Sequence, residues 1–225
     1  MSKLVFDKVG EHFFETGVKN GVLFPGSPKN TITGVPWNGL TKWDVSPDGG
    51  DANDQYADNI KYLSLRAAEN VNGNIECFTY PDEFNACMGY KDGGAGGFFA
   101  QQKKSPFSGC YITQVGNDEE GADFSEKLHI VWNATCDPVE KSYETINDSP
   151  EAMTLSFDYQ TVPMPVSEDG YKPTAYFEIT KTTENTTKYQ KLIDALYGTD
   201  ASGNNQGTDS HLLLPDDVIA ILQGN

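Results

Sequence analysis

The chain has 225 residues and carries 33 Asp+Glu against 16 Lys+Arg, a formal net charge of -17. Arg66 is its only arginine, and arginine is the side chain best shaped to fork onto phosphates and read base edges. The composition therefore argues against a protein that grips nucleic acid, and leaves open a surface to which nucleic acid does not stick. Hydrophobic residues make up 37% and aromatics 12%, enough to collapse a folded core rather than leave an acidic disordered chain.

Along the chain the dominant pattern is period-two alternation in short segments separated by Gly, Pro, Asn and Asp. The first such segment runs from Leu40 to Val45. Ile60 to Arg66 and Ile75 to Tyr80 follow, and Asn72-Gly73 between them has the chemistry of a tight turn. Pro81-Asp82-Glu83 then opens a short helix with Phe84, Cys87 and Met88 on its apolar face. Strands resume at Cys110 to Val115 and at Leu128 to Ala134. The second of these sets Leu128, Ile130 and Trp132 on one side and His129, Val131 and Asn133 on the other.

From Thr154 to Thr161, Leu155, Phe157 and Tyr159 point inward and Ser156, Asp158 and Gln160 outward. Ala175, Phe177 and Ile179 alternate in the same way with Tyr176, Glu178 and Thr180. Tyr189, Leu192, Ile193 and Leu196 fall at helical spacing between Thr187 and Tyr197, with Gly198 as the stop. A third short helix starts at Pro215, its apolar side being Val218, Ile221 and Leu222. Helices this short must lie on the sheet. The expected fold is mainly β (α+β), an antiparallel sandwich or barrel with a flanking helix. Segments 46–58, 92–106 and 199–210 read as long projecting loops, a length that is usually functional or unstructured. With no linker composition and no repeat, residues 1–225 read as one domain.

Catalytic signals are weak. Counted from Asp51, a calcium loop would need glycine where Tyr56 stands and a glutamate where Tyr62 stands. The run Gly93-Gly94-Ala95-Gly96-Gly97 precedes Lys103-Lys104, without the glycine that a phosphate loop places directly before its lysine. His12, His129 and His211 are scattered, and no G-x-S-x-G elbow occurs. Neither an enzyme, a cofactor nor a metal is expected. Cys77, Cys87, Cys110 and Cys136 form no C-x-x-C pair and read as buried thiols. No apolar run approaches the ~20 residues of a membrane span, and Asp7 interrupts the N-terminus too early for an export signal. Two other readings stay open: a sandwich that binds carbohydrate through Trp37, Trp43 and Trp132, and a glycosidase-like enzyme using paired carboxylates. With 33 acids, two lying close together is expected by chance.

One stretch stands apart, Lys141-Ser142-Tyr143-Glu144-Thr145-Ile146-Asn147-Asp148-Ser149-Pro150-Glu151-Ala152. Together with Gly10 to Val18, Gly34 to Leu40, Phe78 to Phe84, Gly116-Asn117-Asp118 and Leu213 to Asp216, it resembles the major tail protein (tail tube protein) of long-tailed, siphovirus-type phages of Gram-positive bacteria. The resemblance covers most of the chain and rests on the order of these segments rather than on any one of them.

It implies a structural virion subunit in stacked hexameric rings, a tube through which double-stranded DNA is ejected without specific binding. The implied location is the virion tail, with assembly in the host cytoplasm. The implied partners are further copies of the chain, the tail terminator, the tape measure and the distal tail proteins, with no membrane. Residues 1–38 become an N-terminal arm, 46–58 an inter-ring loop and 211–225 a C-terminal arm with its short helix. Asp48, Asp51, Asp54 and Tyr56 become ring-stacking candidates. Glu76, Asp158 and Glu178, which point away from the apolar sides of their strands, become lumen-facing candidates. A lumen of fixed negative charge repels phosphates.

Overall fold

The computed structural model describes residues 4–49, 52–65, 69–143, 145, 152–202 and 206–224. Among them lie thirteen strands: β1 (Phe14–Pro25), β2 (Val35–Trp37), β3 (Leu40–Trp43), β4 (Ser46–Asp48), β5 (Asn53–Ala57), β6 (Ile60–Leu65), β7 (Asn70–Cys77), β8 (Lys91–Gly94), β9 (Gly97–Phe99), β10 (Phe107–Asn117), β11 (Gly121–Cys136), β12 (Leu155–Thr161) and β13 (Tyr176–Thr180). Three helices accompany them: α1 (Phe84–Met88), α2 (Thr186–Tyr197) and α3 (Pro215–Gln223). The chain is mainly β, as its alternation predicts. Nine strands form one antiparallel sheet in the order β2-β1-β10-β11-β12-β7-β3, with β13 beside β11 and β4 beside β7. This sheet curls into a half-barrel.

Curling gives the central strands β1, β10 and β11 two buried faces. Toward the inside of the curl, Leu23, Tyr111 and Val131 pack with Trp37, Trp43, Ile75, Phe84, Phe157 and Tyr159. On the opposite face Val22, Phe24, Cys110, Ile112, Leu128, Ile130 and Trp132 pack with Tyr189, Leu192 and Leu196 of α2, Val218 of α3 and Leu213 just before α3. The indole N–H of Trp132 donates to the carbonyl of Leu213 at 2.7 Å, tying the approach to α3 onto the sheet. Proline at the first turn of α3 lacks only a hydrogen that would have gone unpaired there. Asp217 closes the same end by accepting from the amide of Leu214 at 3.0 Å.

Several expectations are corrected. Asn72-Gly73 is not a turn; it lies inside β7, with Asn72 opposite Gln160 and Gly73 opposite Tyr159. A Cβ at position 73 would sit 2.0 Å from the carbonyl oxygen of Asp44 and 2.4 Å from the hydroxyl of Tyr159. Glycine is there for close approach, a role that a turn-prone pair conceals. Among the described residues, segment 46–58 holds β4 and the first strand of a hairpin rather than a loop. Within 92–106 a second hairpin, β8–β9, turns on Ala95 and Gly96, both in the left-handed region. Segment 199–210 is pinned by a bridge between Thr199 and Thr208. The N-terminal arm shortens, because β1 and β2 bury Leu23, Phe24 and Trp37 in the sheet. Most of the stretch 141–152 lies outside the described residues, as do Asp51 and Arg66.

Candidate assembly surfaces

The projecting hairpin β5–β6 is built by its turn. Asp58 and Asn59 both take positive φ, 50° and 64°, and Ala57 pairs directly with Ile60. This is the two-residue hairpin turn whose twist matches the flanking strands, and Asp and Asn tolerate it better than other non-glycine residues. Lys61 binds Asp54 across the strands at 2.8 Å, and this contact holds the Asp54 carboxyl below its ordinary range. Neither face of the hairpin meets the core. Tyr56 and Tyr62 are each 70% exposed, Ile60 64% and Leu65 58%. A lone two-stranded hairpin is marginal in water, and each large apolar side chain forgoes ~1.5–3 kcal/mol by staying uncovered. A shape of this kind gains a great deal from a partner surface.

Two further elements share the same character. Leu4, Val5, Phe6 and Val9 of the N-terminal segment are exposed, as are Phe98 and Phe99 of the β8–β9 hairpin. The segment is nevertheless anchored where it reaches the body. Asp118, in the turn between β10 and β11, accepts from the amides of Gly10 and His12 at 3.0 and 3.3 Å and lies 2.9 Å from His12 Nδ1. The hydrogen bond from His12, with those backbone amides, draws the Asp118 carboxyl down to about 2. Four of the sequence segments singled out above thus meet in pairs. Gly10 to Val18 contacts Gly116-Asn117-Asp118, and Gly34 to Leu40 contacts Phe78 to Phe84 through Trp37 Nε1 donating to the Thr79 carbonyl at 3.1 Å.

The acidic candidates do not share one surface. Glu76 and Asp158 lie on neighbouring strands and on the same face, opposite the inner core, with Asn74 donating to Asp158 at 2.6 Å. Lys42 bridges Glu76 at 3.5 Å and Asp44 at 2.6 Å, and these two carboxylates, Asp44 foremost, hold its ammonium above the ordinary lysine range. Glu178 faces the other side of the sheet, opposite His129. Asp48 belongs with Glu76 and Asp158 rather than with the hairpin: it sits on β4 and accepts from Asn72 at 3.1 Å. Of the ring-stacking candidates among the described residues, Asp54 and Tyr56 are therefore the two that project.

Trp37, Trp43 and Trp132, the basis for a carbohydrate-binding reading, are buried in the core and present nothing to a sugar. The four cysteines are buried and unpaired, and burial pushes the thiols of Cys87 and Cys110 up to about 12, as befits packing residues rather than nucleophiles. Among the described residues no group of three or more His, Cys, Asp and Glu side chains gathers as metal ligands would, and no helix is long and apolar enough to cross a membrane.

No family model matches the chain, and neither does any curated protein sequence. Among solved structures, the cap that terminates the tube of the anti-feeding prophage overlaps 80% of this chain and 97% of its own, at 10% identity and a TM-score of 0.36. The sheath/tube terminator of the PVC extracellular contractile injection system, in its extended state, overlaps 75% and 98%, at 11% identity and a TM-score of 0.33. Overlap this loose carries no argument about this chain.

Proposed function

We propose that this chain is a non-enzymatic structural subunit of a phage-type tail, one that associates with copies of itself. The observation that carries the reading is the hairpin β5–β6, a free-standing pair of strands whose large apolar side chains face solvent on both sides. An evolved monomer avoids such a feature; an assembly subunit requires it. The anchored N-terminal segment and the β8–β9 hairpin supply two more uncovered apolar surfaces on the same body. The sequence resemblance to tail tube proteins gives these surfaces their arrangement: rings of six subunits, stacked through Asp54 and Tyr56 of the hairpin, enclosing a channel for DNA. In that arrangement the face bearing Asp48, Glu76 and Asp158 is the favoured channel lining, since its charges would repel a passing duplex. Tail terminator, tape measure and distal tail proteins are the partners such a tube would meet, in the virion tail after assembly in the host cytoplasm.

Negative-stain microscopy of the purified, concentrated chain tests the reading. Rings or stacked tubes are expected. A uniform field of monomers at high concentration would refute self-assembly.

A further inference from the structure

Four strands, β1, β10, β11 and β13, enclose one histidine. His129 is buried, and the ring of Tyr111 lies nearly parallel to it, 4.5 Å away at 7°. Its Nε2 is 2.8 Å from Thr113 Oγ1, and its Nδ1 is 2.7 Å from the hydroxyl of Tyr176. Each of those hydroxyls has a single hydrogen, and each has a carboxylate to receive it. Thr113 donates to Glu15 at 2.6 Å, and Tyr176 donates to Glu178 at 2.8 Å. With those hydrogens committed, both hydroxyls turn only lone pairs toward the ring. A neutral imidazole has one N–H and can serve one of them; an imidazolium serves both.

Lys127 is the remaining charged neighbour, 2.6 Å from Glu15 and 3.8 Å from Glu178. Burial, the largest effect, together with Lys127 holds the ring's proton affinity below the ordinary histidine range, against the pull of Glu15 and Glu178. The count of hydrogens sets what the proton does once bound: it lets the ring serve both hydroxyls at once.

We infer that His129 is a proton-operated latch. As an imidazolium it joins β1 and β13 to the centre of the sheet through Thr113–Glu15 and Tyr176–Glu178. When it loses its proton, one hydroxyl must turn back to donate to the bare ring nitrogen, and the carboxylate beyond it is released. The bond lost is either Thr113–Glu15, which ties β10 to β1, or Tyr176–Glu178, which fixes a side chain of β13. This inference does not depend on the assembly reading.

The test uses the full chain, following the ring nitrogens of His129 by two-bond proton–nitrogen spectra and the carboxyl carbons of Glu15 and Glu178 from about pH 5 to about pH 9. Both ring nitrogens should carry hydrogens at the acid end, and a Glu15 or Glu178 carboxyl signal should move in the same transition. Thr113→Val removes one acceptor and should move the transition to lower pH. If that variant fails to fold, Tyr176→Phe makes the same test from the other nitrogen. A single neutral tautomer throughout would overturn the latch, as would a transition that neither variant moves.

Discussion

Replacing Gly73 by alanine places a methyl group where the inner core has no room. The added carbon would lie 2.0 Å from the carbonyl oxygen of Asp44 and 2.4 Å from the hydroxyl of Tyr159. Backbone on one side cannot yield, so the tyrosine must move. Its hydroxyl donates to that same Asp44 carbonyl at 2.8 Å and accepts from the indole N–H of Trp43 at 3.2 Å. Displacing it breaks two hydrogen bonds, at about 1 kcal/mol each, and overpacking adds about 1–3 kcal/mol. The expected loss is about 3–5 kcal/mol, a large share of the ~5–15 kcal/mol by which a domain is stable. Tyr159→Phe removes the two bonds without crowding and should cost about 2 kcal/mol. Urea unfolding followed by tryptophan fluorescence gives both numbers. With a slope of about 2 kcal/mol/M, the alanine variant should unfold at a midpoint lowered by ~1.5–2.5 M. A shift corresponding to less than about 1 kcal/mol for Gly73→Ala, or one no larger than that of Tyr159→Phe, would show that position 73 is not the tight contact described.

Two further outcomes follow from single contacts. Trp132→Phe keeps most of the apolar volume but orphans the buried carbonyl of Leu213, so thermal unfolding should report a loss of about 2 kcal/mol; an unchanged midpoint would mean that the indole bond contributes nothing. Because the Asp118 carboxyl is held near 2, below its unfolded value of about 4, the tie to Gly10 and His12 is complete above that unfolded value and is lost as the pH falls toward about 2. Amide shifts of Gly10 and His12 should move in that window, and Asp118→Ala should show the released shifts at every pH; shifts unchanged in both experiments would place the anchor elsewhere.

The strands were legible where one face is apolar. Leu155, Phe157 and Tyr159 alternate with Ser156, Asp158 and Gln160, and β12 buries and exposes its residues in that rhythm. The central strands were legible too, although β10 hides apolar residues on both faces and offers less contrast. The two hairpins were missed for opposite reasons. In β5–β6 the alternation of Ile60, Tyr62 and Ser64 looks like a core strand, yet no core lies beneath it, since period two reports a pleated strand without saying what covers it. Asp58-Asn59 was the available signal for the turn, and Asn72-Gly73 drew the assignment instead. In β8–β9 the glycines conceal a strand pair because they contribute no pattern.

The site was legible only in part. Asp54 and Tyr56 fall on the projecting element, but Asp48 is drawn back to the sheet by Asn72, and Glu178 is carried to the other face by the register of β13 on β11. Such placements depend on which strand pairs with which, and local sequence does not encode that.

The claim that the chain assembles through its hairpin is tested most directly by sedimentation velocity of the intact protein beside a Tyr62→Ser, Leu65→Ser variant. These two side chains are exposed in the single chain, so the variant should fold with stability changed by no more than ~0.5 kcal/mol each. Burying them between subunits is worth about 3–6 kcal/mol together, so assembly should need roughly 10²–10⁴-fold more protein. The expected result is fast-sedimenting polymer for the unaltered chain and folded monomer for the variant at the same concentration. Identical profiles for the two would contradict it.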